Sequence, residues 1–162
     1  MRVILTGDEI ETIRVQAEAE YPSECCGVVM TRGDERSLLR FRNAQDEMHR
    51  LDPKRFPRTA ANAYYVGKED HDRMEQLARG GFDLAVIYHS HPDVGAYFSP
   101  TDRAQAAPPP RGEPVWVGAT YVVFAVNGRR AEEFAAFRWD AEARDFVEVH
   151  RQSVTASARA GR

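Results

Sequence analysis

The sequence predicts an α+β domain with a central mixed β-sheet flanked by helices. Three observations carry that prediction. The chain has 162 residues, which suits one core and would cramp two. Helical and strand patterns alternate without the regular βαβ rhythm of a purely parallel sheet. The stretch Val115–Val126 is apolar and uncharged and reads as one central strand, or as two.

Residues Arg2–Leu5 read as a short first strand. Thr6 and Glu9 then form a capping-box pattern, and Ile10, Ile13, Ala17 and Tyr21 follow at helical spacing until Pro22. Cys25–Met30 is an apolar strand, Thr31–Asp34 a turn, and Ser37–Arg42 the returning strand. Asn43–Asn62 shows no period, contains Pro53 and Pro57, and reads as a long irregular segment. Tyr64–Val66 reads as a brief strand. Lys68–Arg79 reads as a helix with Met74, Leu77 and Ala78 inward and Gly80-Gly81 at its end. Asp83–His89 is a buried strand. Ser99, Pro100 and Asp102 have the pattern of an N-cap, first and third helical residues, and Pro108–Pro110 end that helix. Asn127-Gly128 marks a hairpin turn, with strands at Ala131–Trp139 and Phe146–His150. Residues 1–151 form the expected domain and 152–162 a polar, disordered tail.

The overall balance narrows the function classes. There are 22 Lys+Arg against 25 Asp+Glu, a formal charge of -3. No global basic excess exists to hold a polyphosphate, so no nucleic-acid partner is expected. The beginning of the chain lacks a secretory apolar core and no stretch is long enough to span a membrane. These features predict a cytoplasmic protein with no membrane association. The two cysteines, Cys25 and Cys26, are neighbours, so they make neither a disulfide framework nor a CxxC metal pair. A period of two sets them on opposite faces of a strand, where small buried fillers is the better reading for at least one.

The chemistry concentrates in His89-Ser90-His91-Pro92-Asp93-Val94-Gly95-Ala96-Tyr97-Phe98-Ser99-Pro100-Thr101-Asp102. Two imidazoles two residues apart on a strand project to the same side. A carboxylate from the next helix can add a third ligand. Three protein ligands leave one tetrahedral position open, as in a catalytic zinc site. Each residue alone has a plainer reading: a strand-end histidine at the surface, a helix N-cap at Ser99, a helix-start acid at Asp102. The joint spacing is what carries the metal reading.

That spacing resembles the JAMM (MPN+) metalloprotease signature, an upstream Glu followed by H-[ST]-H-x7-S-x2-D. The upstream element is matched by Glu24-Cys25-Cys26-Gly27 after the first helix, and the element order fits over about residues 1–150. The chain is most similar to the compact prokaryotic members. The resemblance implies an MPN-like, cytidine-deaminase-like layered fold. It also implies one Zn2+ per chain held by His89, His91 and Asp102. Glu24 would shuttle a proton from the attacking water to the leaving amine, and Ser99 would donate a hydrogen bond to the oxyanion. It further implies a bond after the C-terminal Gly-Gly of a ubiquitin-like protein as substrate. A sulfur carrier bearing an extra residue such as cysteine is favoured over a lysine conjugate, because no ubiquitin-binding domain is evident.

The competing reading is a non-catalytic MPN scaffold, which characteristically lacks metal ligands that are present here. A RadC-type relative fits less well with the acidic balance. There is no HExxH and no PCxxC, so zincin and deaminase chemistry are excluded. His71, on the face of Met74 and Ala78, reads as a partly buried structural residue. His49 and His150 show no metal spacing. The cluster Arg50, Lys54, Arg55 and Arg58 reads as a solvated loop, with an acidic partner as the alternative. The segment 43–62 and the Pro108–Pro114 stretch could reshape the groove or form a dimer contact, so the sequence leaves a homodimer open.

Overall fold

The computed structural model describes residues 3–154. In chain order the elements are α1 (Gly7–Glu20), β1 (Cys26–Arg32), β2 (Glu35–Phe41), α2 (Gln45–Leu51), α3 (Lys68–Arg79), β3 (Asp83–Pro92), α4 (Pro100–Ala106), β4 (Thr120–Asn127), β5 (Arg130–Asp140) and β6 (Asp145–Ser153). The six strands form one sheet in the order β2-β1-β3-β4-β5-β6. The β3–β4 pair is parallel and the other neighbouring pairs are antiparallel, so the sheet is mixed, as the sequence predicts.

The sheet separates two apolar layers. On one side Ile13 and Ala17 of α1 pack on Val86 and Tyr88 of β3, Val122 and Phe124 of β4, and Phe134 of β5. On the other side Met74 and Leu77 of α3 pack on Val28 and Met30 of β1. Ala106 of α4 and Phe98 join Tyr121, Val123 and Phe137 there. β4 is buried on both faces because it lies between β3 and β5 with helices on both sides. Cys25 faces the α1 layer and Cys26 the α3 layer, the alternation a strand imposes. Both thiols are fully buried, and burial pushes the Cys25 pKa up to about 12 and the Cys26 pKa well above its usual range. Neither is a nucleophile at neutral pH.

Gly27 has a packing reason. A Cβ there would strike the hydroxyl of Tyr88 and the backbone carbonyl of Leu39. The Tyr88 hydroxyl donates to Gln16 Oε1 at 2.6 Å, and Gln16 Nε2 donates back to the Cys26 carbonyl at 3.1 Å. Gly27 thus makes room for a buried polar link between α1 and the sheet. Gly27→Ala is expected to destabilise the fold by about 3 kcal/mol, the upper end of overpacking costs, read as a shift of the urea midpoint.

Several expectations are corrected. Residues 3–6 form no strand; Leu5 is buried in the α1 layer while the Arg36 guanidinium of β2 donates to the Ile4 carbonyl at 2.9 Å. Arg2 lies outside the described residues. The Asn43–Asn62 segment contains α2, which has no side-chain N-cap to announce it. Tyr64–Val66 contributes an isolated bridge, Asn43 to Val66, rather than a strand. β4 starts at Thr120; Val115–Val117 precede it in a turn, with Val117 84% exposed. Positive-φ Gly118 separates the two stretches. Asn127 pairs with Arg130, so the hairpin turns on Gly128 and Arg129, both at positive φ. His71 and Ala78 are exposed rather than inward. β6 continues through Ser153, and Val154 is only 1% exposed, so the ordered sheet and its core extend into the expected tail. Residues 155–162 of that tail lie outside the described residues. Among the described residues no helix is long and apolar enough to cross a membrane.

Candidate metal centre and catalytic cleft

His89 and His91 occupy the C-terminal end of β3, on the face opposite Tyr88 and Ser90. β1 runs antiparallel beside it, with Cys26 opposite His89. Continuing that register places Glu24 opposite His91, and residues opposite one another share a face of the sheet. Ser90 secures the alignment: its Oγ accepts the Cys25 N–H at 2.8 Å, and its own N–H donates to the Cys25 carbonyl at 3.1 Å.

Asp102 arrives from α4. Ser99 caps that helix, its Oγ accepting the Asp102 N–H at 3.0 Å while Asp102 Oδ2 accepts the Ser99 N–H at 3.0 Å. This capping box fixes the carboxylate. Asp102 Oδ1 lies 3.1 Å from His89 Nε2, and Oδ2 lies 3.1 Å from His91 Nε2. The two Nε2 atoms are 3.1 Å apart. Two nitrogens and a carboxylate oxygen therefore form a tight triangle, and all three residues are buried. Tetrahedral zinc with bonds near 2.0–2.1 Å places its nitrogen ligands about 3.3 Å apart, so the triangle is of the right size.

The surroundings fix which atoms are available. His91 Nδ1 lies 3.1 Å from the Gly95 carbonyl, so Nδ1–H donates and Nε2 keeps its lone pair. The Tyr64 ring covers His89 with centroids 4.9 Å apart. Among the described residues, the buried side-chain polar atoms without a hydrogen-bond partner are Glu24 Oε1 and His89 Nδ1. Both belong to this site. An orphaned buried carboxylate oxygen beside a two-nitrogen, one-oxygen donor set fits a metal whose remaining position carries a hydrogen-bonding group.

Charge follows from burial and proximity. Burial pushes the Glu24 carboxyl up, against the opposing pull of His89 and His91. Burial would raise Asp102 too, but the two imidazoles hold its carboxyl well below the usual carboxylate range. Burial lowers His89, yet the charge and hydrogen bond of Asp102 outweigh it and leave its pKa raised. Two carboxylates in one site are thus pushed apart, one favouring its proton and one holding its charge.

A cleft of about 230 Å3 opens onto these groups, lined by Glu24, Arg58, His91, Tyr97 and Ser99 among others. Ser99 Oγ is occupied as an acceptor but donates to no described residue, so its proton is free to face the cleft. On the other side of Asp102 an apolar cavity of about 120 Å3 lies under Tyr64, Phe98 and Trp116. It shares His71, Met74, Leu84 and Trp116 with a larger hollow of about 780 Å3 beside α3, so the two form one trough leading toward Asp102.

All five residues singled out by the signature, Glu24, His89, His91, Ser99 and Asp102, meet in one place. Sequence reasoning missed Asn43. Its Nδ2 donates to the carbonyls of Glu24 at 2.8 Å and Ala63 at 3.0 Å, while Oδ1 accepts from Gln45 N–H and Tyr65 N–H. It pins the irregular segment to the backbone of Glu24, and no spacing announces it. Tyr64 was missed for the same reason. His49 is engaged with the Phe56 carbonyl at 2.8 Å and His150 with Gln152 at 3.1 Å; neither joins the triangle.

A mixed sheet carrying paired strand-end imidazoles and a capping-box carboxylate defines a JAB/MPN-type domain. The pattern of the family described as prokaryotic homologs of the JAB domain (Prok-JAB) matches residues 8–141, and the chain belongs to that family. A protein from Salinibacter ruber, whose solution structure is known, is similar with a TM-score of 0.57 and 25% identity, covering 90% of this chain and 87% of that one. A protein from Desulfitobacterium hafniense shares the fold with a TM-score of 0.60 at 18% identity, covering 90% and 88%. Tail tip assembly protein K of Escherichia phage N15 is 30% identical over 96 residues, 59% of this chain. The chain spans about a third of that relative, 33% of its length.

Proposed function

We propose that this protein is a zinc-dependent peptidase that hydrolyses the bond after the C-terminal Gly-Gly of a ubiquitin-like protein. The favoured substrate is a sulfur carrier from which a C-terminal residue such as cysteine is removed. The observation that carries the reading is the tight triangle of His89, His91 and Asp102 together with Glu24, whose buried Oε1 lacks a partner and which lines the cleft beside His91 and Ser99.

His89, His91 and Asp102 would hold the metal. When bound, zinc supplies a Lewis acid that lowers the pKa of water from 15.7 to about 7 and polarises a carbonyl oxygen. Glu24 accepts a proton from the attacking water at its carboxylate and delivers it to the departing amine. Ser99 donates its hydroxyl proton toward the developing oxyanion. The hydroxyl of water ends on the glycine carbonyl carbon and its other proton on the released amine. The trough beside Asp102 offers an extended tail an apolar bed, and two glycines would allow close backbone approach.

Purified protein is expected to carry about one zinc per chain. With zinc, it should trim carriers that end in Gly-Gly-Cys, seen as the loss of one residue by mass spectrometry. Intact C-termini across a panel of carriers would overturn the substrate assignment. The likeness to a tail tip assembly protein supports a second reading, a domain that serves assembly without catalysis. Retained zinc with no cleavage of any carrier or lysine conjugate is the result it requires.

A further inference from the structure

The cleft beside Glu24 contains a cation that the hydrolytic machinery leaves unused. Arg58 lines it together with Glu24, Asn62, His91 and Ser99, and is the sole basic side chain among its described lining residues other than His91. Its guanidinium makes one described hydrogen bond, a long one of 3.4 Å to the Asn62 carbonyl. It is exposed and forms no ion pair among the described residues. Nor is its position loose relative to Glu24. The Glu24 N–H donates to the Ala60 carbonyl at 2.7 Å, and Gln45 Nε2 donates to the Arg58 carbonyl itself at 2.9 Å. Two ties therefore fix the backbone around Arg58 next to the proton shuttle.

We propose that Arg58 binds the free α-carboxylate of the residue that is released, so that the enzyme removes a single C-terminal residue rather than a lysine-linked conjugate. The inference rests on the peptidase reading of the same cleft and names its leaving group. The proton shuttle must reach the departing nitrogen, so the leaving residue lies on the Glu24 side. In a C-terminal residue joined through its α-amine, the carboxylate carbon is one Cα away from that nitrogen, about 2.5 Å. A cation that reads this carboxylate must share the cleft with the proton donor, as Arg58 does. In a lysine isopeptide the departing nitrogen sits at the end of a four-carbon stem and carries no neighbouring carboxylate. The Arg58 guanidinium forms no ion pair among the described residues, although its charge reaches Glu24 and pulls that carboxyl down, and a guanidinium fork suits a carboxylate, which it can engage with two parallel hydrogen bonds.

The test uses two acetylated peptides ending in Ala-Gly-Gly-Cys, one with a free C-terminal carboxylate and one with a carboxamide. Metal-free protein is titrated with each, and zinc-loaded protein is assayed for cleavage of each. The metal-free wild type should bind the acid at least about tenfold more tightly than the amide, the scale of one charge-assisted contact. Arg58→Ala should erase that preference without shifting the unfolding midpoint, and Arg58→Lys should restore part of it. Equal affinity for the two peptides, including no measurable affinity for either, overturns the proposal, as does a preference that survives Arg58→Ala. Cleavage of both peptides at equal rates would leave the peptidase standing and remove Arg58 from it. A carboxylate preference in binding without cleavage would keep the subsite and remove the peptidase.

Discussion

Glu24→Gln should retain zinc at the wild-type level yet lose cleavage by about 10²- to 10⁴-fold, the usual contribution of a positioned acid–base group. The amide keeps the shape and remains able to hydrogen-bond, but it can neither take nor hand on a proton. Because Glu24 stands outside the His89, His91 and Asp102 triangle, metal retention should not suffer. The same substitution has an opposite effect on stability. The Glu24 pKa is raised above its ordinary 4.5 by burial. A raised carboxyl contributes stability that is fully present below the unfolded value, near pH 4.5, and is lost as pH rises through the folded value. At neutral pH the buried Glu24 carboxyl therefore weighs on the metal-free fold. Metal-free Glu24→Gln should unfold at a higher temperature than metal-free wild type at pH 7, with the gap closing as pH falls toward 4.5. A variant that cleaves normally would remove Glu24 as the proton shuttle. An unchanged gap across pH would show that its ionisation does not load the fold.

The metal triangle was legible because each of its parts is a short-range signal. A strand has period two, so His89 and His91 share a face whatever surrounds them. Ser99 and Asp102 form a capping box, a four-residue pattern with its own geometry. Glu24 was harder: its place opposite His91 depends on the β1–β3 register, and only the resemblance pointed to it. The parts that escaped are held by long-range contacts from segments without a period. Asn43 reaches Glu24 across 19 residues, and Tyr64 reaches His89 from a stretch that forms one isolated bridge. α2 follows an Ala44 N-cap that has no capping side chain, and the acids and bases at its two ends are weak signals in so short a helix. Val115–Val117 misled in the other direction. They are apolar like the strand that follows, but Trp116 lines the trough and positive-φ Gly118 breaks the run. A lone apolar Val154 in a polar, Ala- and Ser-containing stretch carries no period, which hid the end of β6.

His89→Ala should remove metal and activity together, the larger of the two site effects. His89 is wholly buried at the centre of the sheet, with β1 on one side and β4 on the other. Among the described residues the metal-capable group holds no imidazole besides His89 and His91. The remaining pair, His91 and Asp102, offers two ligands where three are needed to hold a metal and keep one position open. Zinc content after dialysis should fall from about one per chain to near zero, and cleavage to the level of the uncatalysed control. The substitution also leaves Asp102 with one imidazole partner in place of two, in a buried setting where an uncompensated carboxylate is costly. The Asp102 carboxyl, now held low by both imidazoles, should titrate higher in the variant. The metal-free variant should therefore lose stability relative to metal-free wild type at pH 7. Asp102→Asn in the same background tests the cause: if the loss comes from the stranded charge, the double variant should recover part of it. If the double variant is no more stable than His89→Ala alone, the loss lies in the cavity left by the ring beneath Tyr64.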